Sequence, residues 1–145
     1  MSIDWTKTTD KVSKYFTVKE CLWLPQWNRL ANETDGLSAI VKTNLIALCT
    51  KMDEIREIFG EPIKVHCCYR PPKYNTLVKG AYKSSHLNGM AIDFSITGWD
   101  CDDVRAKIIK LDLLNSLQLR MEDLVNSNWV HIDIRMPIGK RYFKP

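Results

Sequence analysis

The segment Ser84-Ser-His-Leu-Asn-Gly-Met-Ala-Ile-Asp93 decides how this chain must fold, because it sets two metal-binding side chains on either side of a glycine. On one straight strand His86 and Asp93 would stand roughly 20 Å apart, too far to share an ion. Gly89 can supply a bend, since glycine adopts backbone angles that other residues avoid. Asp93 also lies between two apolar residues, a setting in which an unpaired carboxylate is costly. The segment therefore predicts a bend that brings an imidazole and a carboxylate together around a metal ion.

A third candidate ligand lies in the later segment Trp129-Val-His-Ile-Asp133, where His131 belongs to a short apolar strand. Two neutral nitrogens and one carboxylate, with a fourth position left for water, form a known arrangement of catalytic zinc. A single histidine is more often a core or surface residue than a ligand. The order of the three residues, with a glycine between the first two, instead favours one Zn²⁺ ion bound by His86, Asp93 and His131.

The remaining sequence predicts an α+β fold. Thr17 and Glu20 have the spacing of a capping box at a helix start, and apolar residues three or four apart predict a long amphipathic helix over 37–59, ended by Gly60. Further expected elements are strands over 63–69, 91–96, 117–122 and 129–135, short helices over 72–78 and about 100–110, and loops over 24–36 and 80–85. We predict a small antiparallel sheet that carries the metal site, flanked by helices, in one domain over 15–145 after a loose N-terminal arm of residues 1–14.

Composition narrows the range of partners. A chain of 145 residues that is 45% hydrophobic and 26% charged is typical of one globular domain. The net charge is +4 without a run of five like charges, so we expect no nucleic-acid partner. No apolar run is long enough for a membrane span or a signal peptide, so we expect synthesis in the cytoplasm and no membrane partner. We also expect the protein to be a monomer. The five cysteines form an odd set without a CxxC pair and are expected to be reduced.

The motif SxHxxGxAxD, followed by a Trp-Val-His strand, resembles the zinc-ligand signature of the M15 peptidases. That family includes D-Ala-D-Ala carboxypeptidases, D,D-dipeptidases and phage L-alanyl-D-glutamate endolysins. The segment Cys68-Tyr-Arg-Pro-Pro-Lys-Tyr-Asn75 is similar to the family's S/G-Y-R-S/T-P-x-x-N segment, and the similarity covers most of residues 15–142. The resemblance implies the Hedgehog/DD-peptidase fold and zinc-dependent hydrolysis of a peptidoglycan stem peptide. A phage endolysin of this kind would degrade the cell wall after holin-type release.

The resemblance also implies roles for individual residues. It carries His86, Asp93 and His131 over as the zinc ligands. Arg70 matches the arginine that steadies the polarised carbonyl and the developing oxyanion, work suited to a permanently charged fork of donors. Ser84 and Tyr69 are assigned to substrate binding. Whether the bond cut is D-Ala–D-Ala or L-Ala–D-Glu stays open.

The general base is not at either of its usual places. Many M15 enzymes carry an acid three residues before the last histidine, but here Asn128 occupies that position and cannot accept a proton. Others carry a histidine two residues before it, where this chain has Trp129. If 117–122 and 129–135 form a hairpin with Glu122 opposite Trp129, the carboxylate of Glu122 is diagonal to His131 and faces the site. Glu122 is therefore the predicted general base.

Two other carboxylates are alternatives. Asp123 could serve as a base from the hairpin loop. Asp133 could serve as a base or could orient a ligand imidazole. His66 would share a strand face with Cys68 and Arg70 if that strand is regular, and we expect a structural role for it.

Two rival functions remain open. The first is a non-catalytic M15-like binding or phage structural module, favoured by the asparagine at position 128. The second is a zinc-stabilised interaction domain of the related Hedgehog-like fold. Similarity of fold alone does not choose between them.

Overall fold

The computed structural model describes residues 2–145 and confirms an α+β fold in which a five-stranded sheet packs against helices. The helices are α1 (Val18–Leu22), α2 (Ala39–Phe59), α3 (Pro72–Leu77), α4 (Cys101–Lys110) and α5 (Leu113–Ser116), with 3₁₀ turns at Glu33–Asp35 and Ser85–Asn88. The strands are β1 (Trp23–Leu24), β2 (Arg29–Leu30), β3 (Ile63–Cys67), β4 (Ala91–Ile96), β5 (Arg120–Glu122), β6 (Val130–Asp133) and β7 (Tyr142–Phe143).

The large sheet has the strand order β3-β4-β6-β5-β7. Its first four strands are antiparallel neighbours, while β7 runs parallel to β5. Strands β1 and β2 form a separate small hairpin inside the segment that the sequence predicted to be a loop. Among residues 2–145 there is no helix that is both long and apolar enough to cross a lipid bilayer.

Helix caps explain where the predicted helices begin and end. Thr17 accepts a hydrogen bond from the Glu20 backbone N–H, and the Glu20 side chain accepts one from the Thr17 N–H, which confirms the predicted capping box of α1. Helix α2 begins after Ser38, whose hydroxyl accepts from the Val41 N–H, and ends at Gly60 in the left-handed conformation. The buried face of α2 forms part of the hydrophobic core and consists of Val41, Leu45, Leu48, Cys49, Met52, Ile55 and Phe59.

The sheet has one apolar face and one polar face. In β4 the side chains of Ile92, Phe94 and Ile96 belong to the buried core, while Asp93 lies on the opposite face, as strand alternation requires. Strand β6 repeats the pattern, with Val130 and Ile132 in the core and His131 and Asp133 on the polar face. The polar face therefore carries both a predicted metal ligand from β4 and one from β6.

A β-bulge interrupts β3. Val65 is opposite Phe94 and Cys67 is opposite Asp93, so two positions on β3 separate partners that are adjacent on β4. His66 is the extra residue. Such a bulge re-aims the side chains that follow it. Here it turns Cys67 onto the polar face, next to Asp93.

The prediction that His66 shares a face with Cys68 and Arg70 assumed a regular strand, and this bulge removes that condition. His66 is exposed, and its Nε2 lies 2.8 Å from Ser95 Oγ on the polar face. Cys68 is buried in the hydrophobic core. Strand parity holds only in a regular strand.

The predicted hairpin forms, but its register differs by two residues. Arg120 is opposite Asp133 and Met121 is opposite Ile132, so Glu122 faces His131 directly and not Trp129 as predicted. The guanidinium of Arg120 donates two hydrogen bonds to the Asp133 carboxylate, at 2.7 and 2.8 Å, which holds the strands in this register. A shift of two residues keeps every side chain on its expected face.

Two elements, α5 and β7, lie in segments for which no element was predicted. The N-terminal residues 2–14, predicted as a loose arm, form turns in which Val12 is buried and Ile3 and Trp5 pack against the core. An isolated bridge joins Lys11 to Thr17.

The bend at Gly89 gives a prediction. Its φ is +70°, and a Cβ there would stand 2.9 Å from the carbonyl oxygen of Val41 in α2. We expect Gly89→Ala to lower the free energy of unfolding by about 1–2 kcal/mol through the left-handed backbone and by about 1–3 kcal/mol more through overpacking. Gly98→Ala is the matched control, because its φ is +79° and a Cβ there would meet nothing within 4 Å. Urea denaturation measures both variants, and equal losses would contradict the close approach to α2.

Candidate active site

Four side chains form a row across the polar face of the sheet. Cys67 on β3 is opposite Asp93 on β4, and Asp93 is opposite His131 on β6. Glu122 on β5 continues the row, since the residue before it is paired with Ile132. Directly opposite residues on antiparallel strands have Cβ atoms only about 5 Å apart. The register of the sheet thus gathers groups that are far apart in the sequence.

His86 reaches this row from the 3₁₀ turn Ser85–Asn88. Its Nδ1 lies 2.6 Å from the carbonyl oxygen of Cys68. A carbonyl only accepts, so Nδ1 carries the proton and Nε2 keeps its lone pair in the neutral ring. Nε2 is buried and finds no hydrogen-bond partner among residues 2–145, although it lies 3.2 Å from Oδ1 of Asp93. Two lone pairs that face each other repel, so this contact is stable only with a cation between the two atoms.

His131 repeats this arrangement on the other side of Asp93. Its Nε2 lies 3.1 Å from the Asp133 carboxylate and its Nδ1 lies 2.8 Å from Oδ1 of Asp93. Because Nε2 donates to Asp133, the lone pair of the neutral ring belongs to Nδ1 and points at Asp93. The structure therefore brings together the three side chains that the sequence predicted as ligands, and their donor set fits a divalent metal ion.

In the absence of a metal ion, a proton on an imidazole can neutralise its contact with the Asp93 carboxylate. Burial by itself lowers the pKa of His86, but the Asp93 carboxylate and the Cys67 thiol raise that pKa to about 10. Burial raises the pKa of Asp93, and the two imidazoles outweigh it and hold that pKa far below its usual range. A metal ion has to displace these protons, so its affinity must fall as the pH falls.

Asp133 is a fully buried carboxylate whose oxygens are already occupied. It accepts two hydrogen bonds from Arg120, one from His131 Nε2 and a longer one, at 3.4 Å, from the Ser85 hydroxyl. Burial works to raise its pKa, and the Arg120 guanidinium lowers it to about 2. Of the two roles considered for Asp133, this geometry fits the orientation of an imidazole and leaves no free lone pair for a base.

Asp93, His131 and Glu122 of this row line a cleft of about 420 Å³, while Cys67 lies outside the lining described for it. Besides His86, Asp93 and His131, the cleft is lined by Arg70, Lys83, Ser84, Glu122, Trp129 and Arg135. Oε1 of Glu122 lies 3.9 Å from His131 Nε2, and its side chain is 22% exposed. The predicted base is therefore beside the predicted ligands and open to solvent.

Arg70 is fixed at the edge of the cleft. Its Nη2 donates to the Ser84 hydroxyl at 3.0 Å, and its backbone N–H donates to the His86 carbonyl at 3.0 Å. Ser84 also caps the 3₁₀ turn by accepting from the His86 N–H. At Gly80 a Cβ would clash first with the Asn75 side chain and would also come within 3.3 Å of the Arg70 guanidinium carbon, so glycine leaves room for both side chains.

Two residues predicted for the site do not reach the cleft. Tyr69 is 2% exposed and packs in the core, where burial and then the charge of Asp35 raise its pKa to about 12. Asp123 accepts a hydrogen bond from the Tyr142 hydroxyl at 2.9 Å and pairs with Lys144 at 3.1 Å, so it anchors the last strand. Neither belongs to the lining that is described for the cleft.

Cys67 is a residue of the site that the sequence analysis missed. Cys67, His86 and Asp93 each offer a donor atom, and these atoms lie within 4.8 Å of one another. Neighbouring residues of a strand point to opposite faces, so Cys67 and Cys68 are poor joint ligands for one ion, but this alternation says nothing against Cys67 alone. Only the bulge in β3 reveals that Cys67 faces Asp93.

The last residues of the chain also contribute to the cleft. Phe143 on β7 and Pro145 lie in its lining. The ring centroid of Phe143 is 4.2 Å from the guanidinium carbon of Arg120, within the range of a cation–π contact. No pattern in residues 136–145 pointed to this position, since it depends on parallel pairing with β5.

Comparison with known proteins gives one match. The family model for Peptidase M15 matches residues 6–133 of the chain, a range that includes His86, Asp93, His131 and strands β3 to β6. No curated protein and no solved structure shows a significant match.

The buried pair between Arg120 and Asp133 leads to a prediction. Asp133→Asn leaves the Arg120 guanidinium without a counter-charge, and its side chain is only 13% exposed. We expect a loss of roughly 3–5 kcal/mol in the free energy of unfolding, as for other buried pairs that lose one partner. Asp123→Asn is the control and should cost far less, because Lys144 is 85% exposed. Chemical denaturation of the metal-free proteins tests this, and similar losses would show that the buried pair does not hold the register.

Proposed function

This chain belongs to the peptidase M15 family, and we propose that it hydrolyses an amide bond in peptidoglycan stem peptides with one bound Zn²⁺ ion. The observation that carries the proposal is the convergence of two imidazole nitrogens on one carboxylate at the floor of an open cleft. A site of this composition with room for water and substrate is typical of hydrolytic zinc centres.

We assign the metal to Nε2 of His86, a carboxylate oxygen of Asp93 and Nδ1 of His131. The buried Nε2 without a partner among residues 2–145 supports this assignment, since an ion would satisfy it. Each imidazole is also held through its other nitrogen, His86 by a backbone carbonyl and His131 by Asp133. Metal-binding histidines are usually oriented in this way. When bound, zinc supplies Lewis acidity that polarises a carbonyl and makes water a better nucleophile.

Glu122 is the proposed general base. Its carboxylate faces the cleft and, within the described chain, makes no ionic contact shorter than the 3.9 Å approach to His131. It takes a proton from the attacking water and returns it to the leaving amine. Asp133 holds the neighbouring imidazole in the required tautomer. Proton transfer of this kind contributes roughly 10²- to 10⁴-fold to the rate.

Arg70 is proposed to stabilise the oxygen of the scissile carbonyl as negative charge develops there. Its side chain lines the cleft, so the guanidinium can donate to a substrate oxygen there. Ser84 holds the guanidinium in place. Lys83 and Arg135 add positive charge to the cleft, which suits the carboxylates of a stem peptide. The bond cut is either D-Ala–D-Ala, as in a carboxypeptidase, or L-Ala–D-Glu, as in an endolysin.

The ligand assignment is tested by metal content. We expect His86→Ala, Asp93→Ala and His131→Ala to lose stoichiometric zinc, measured by inductively coupled plasma mass spectrometry after dialysis. His66→Ala is the matched control and should retain it, because His66 is exposed and contacts Ser95. Circular dichroism checks that each variant is folded. Full zinc occupancy in a folded Asp93→Ala protein would rule out the assignment.

The base assignment is tested by a pair of neighbouring substitutions. Glu122→Gln should lower kcat on defined stem peptides by about 10²- to 10⁴-fold with zinc content unchanged, since the amide cannot accept the proton. Asp123→Asn should stay within a few-fold of the parent protein, because Asp123 pairs with the tail. The opposite result, loss of activity only in Asp123→Asn, would transfer the role to Asp123.

A binding module is the second candidate, because the usual position of the base is occupied by Asn128, which is exposed and lies outside the lining described for the cleft. Digestion of muropeptides, followed by mass spectrometry with and without a chelator, separates the two functions. Release of a single residue or a fragment that the chelator abolishes supports the peptidase. Zinc-dependent binding of muropeptides without any release would support the module.

A further inference from the structure

Cys67 differs from the other cysteines of the chain in its surroundings. It is half-buried on the polar face of the sheet, whereas the remaining four are buried, namely Cys21, Cys49, Cys68 and Cys101. A free cysteine that packs as a small apolar residue is usually buried. Packing therefore does not account for Cys67, whose side chain faces ionisable groups.

The distances place its thiol at the proposed metal site. The bulge at His66 sets Cys67 opposite Asp93. Its Sγ lies 3.8 Å from Nδ1 of His86, the nitrogen that the Cys68 carbonyl holds, so the thiol is beside the imidazole whose Nε2 is assigned to the ion. Two donors on one zinc ion are separated by at most the sum of their bond lengths, roughly 4.4 Å for sulfur and nitrogen. The donor atoms of Cys67, His86 and Asp93 lie within 4.8 Å of one another, close to this limit.

A second observation points to a ligand in the same place. Nε2 of His86 is buried, and no hydrogen-bond partner for it exists in the described part of the chain, residues 2–145. A buried polar atom without a partner is costly. An ion between this nitrogen and Asp93 would remove the cost, and such an ion would be next to the thiol of Cys67.

We infer that Cys67 binds the same ion, so that the resting site has four protein donors, Cys67, His86, Asp93 and His131. The inference rests on the proposed function, because it extends that zinc site. On metal binding the thiol releases its proton to solvent and the sulfur forms a bond to the ion as a thiolate. Thiolate and carboxylate together balance the charge of a divalent cation. A soft sulfur donor also favours zinc over magnesium or calcium.

Four protein donors complete the tetrahedral coordination of zinc. With Cys67 bound, water or a substrate carbonyl would gain access to the ion only if the sulfur left it or a fifth position opened. The resting protein would thus retain its metal tightly and expose it on demand. Chemical capping of this one thiol would open the site permanently.

Cobalt substitution tests the sulfur bond directly. Metal-free full-length protein titrated with Co²⁺ should show a near-ultraviolet thiolate-to-cobalt charge-transfer band together with the visible bands of a tetrahedral ion. In Cys67→Ser the charge-transfer band should disappear while the visible bands remain. Cys101→Ser is the control and should keep both, because Cys101 lies at the start of α4, away from the site. Visible bands without charge transfer in the parent protein would overturn the inference and leave the proposed zinc site standing, whereas absence of all cobalt bands would overturn both.

Alkylation provides a test that needs no substitution. Iodoacetamide should modify Cys67 first in the metal-free protein, since the other cysteines are buried. Stoichiometric Zn²⁺ should slow this modification at least tenfold, read by peptide mass spectrometry. An unchanged rate in protein that has demonstrably bound zinc would show that the sulfur is not a ligand.

Discussion

A largely enclosed carboxylate held against two imidazoles is the constraint on which the architecture depends. The charge of Asp93 is costly in this position unless a cation or a shared proton lies against it, and His86 and His131 can provide for both at the same oxygen, Oδ1. The bend at Gly89 places the imidazole of His86 beside Asp93, and the pairing of β4 with β6 places the imidazole of His131 there. The Arg120–Asp133 pair then fixes the second imidazole and the register of the hairpin together. Each of these features serves the neutralisation of one acid.

Local chemistry in the sequence predicts much of this. Caps at Thr17 and Gly60 mark helix ends, because side-chain and left-handed capping act within a few residues. The acid between apolar neighbours on β4 indicates the candidate metal site, since an enclosed carboxylate without a partner is costly. Parity assigns Glu122 and His131 to one face, and this holds because the predicted and observed registers differ by two residues.

Features that depend on tertiary contacts could not be predicted from the sequence. No residue type around His66 predicts the bulge, so the sequence analysis assumed a regular strand and did not place Cys67 beside Asp93. The observed register of the hairpin pairs Arg120 with Asp133 in a salt bridge. The apolar–polar pattern of the strands fits this register and the one shifted by two residues equally well, so it cannot choose between them. Tyr69 follows the strand that enters the site, yet its ring turns into the core. In each case the deciding partner comes from a distant part of the chain.

Strand β7 forms part of the cleft wall, so substitutions in it can change the cleft. It covers the edge of β5, which would otherwise offer unpaired backbone groups to other chains, and it contributes Phe143 to the cleft wall. The family match ends at residue 133, and β7 lies beyond it. Substitutions in β7 can therefore change the shape and polarity of this wall without replacing His86, Asp93 or His131.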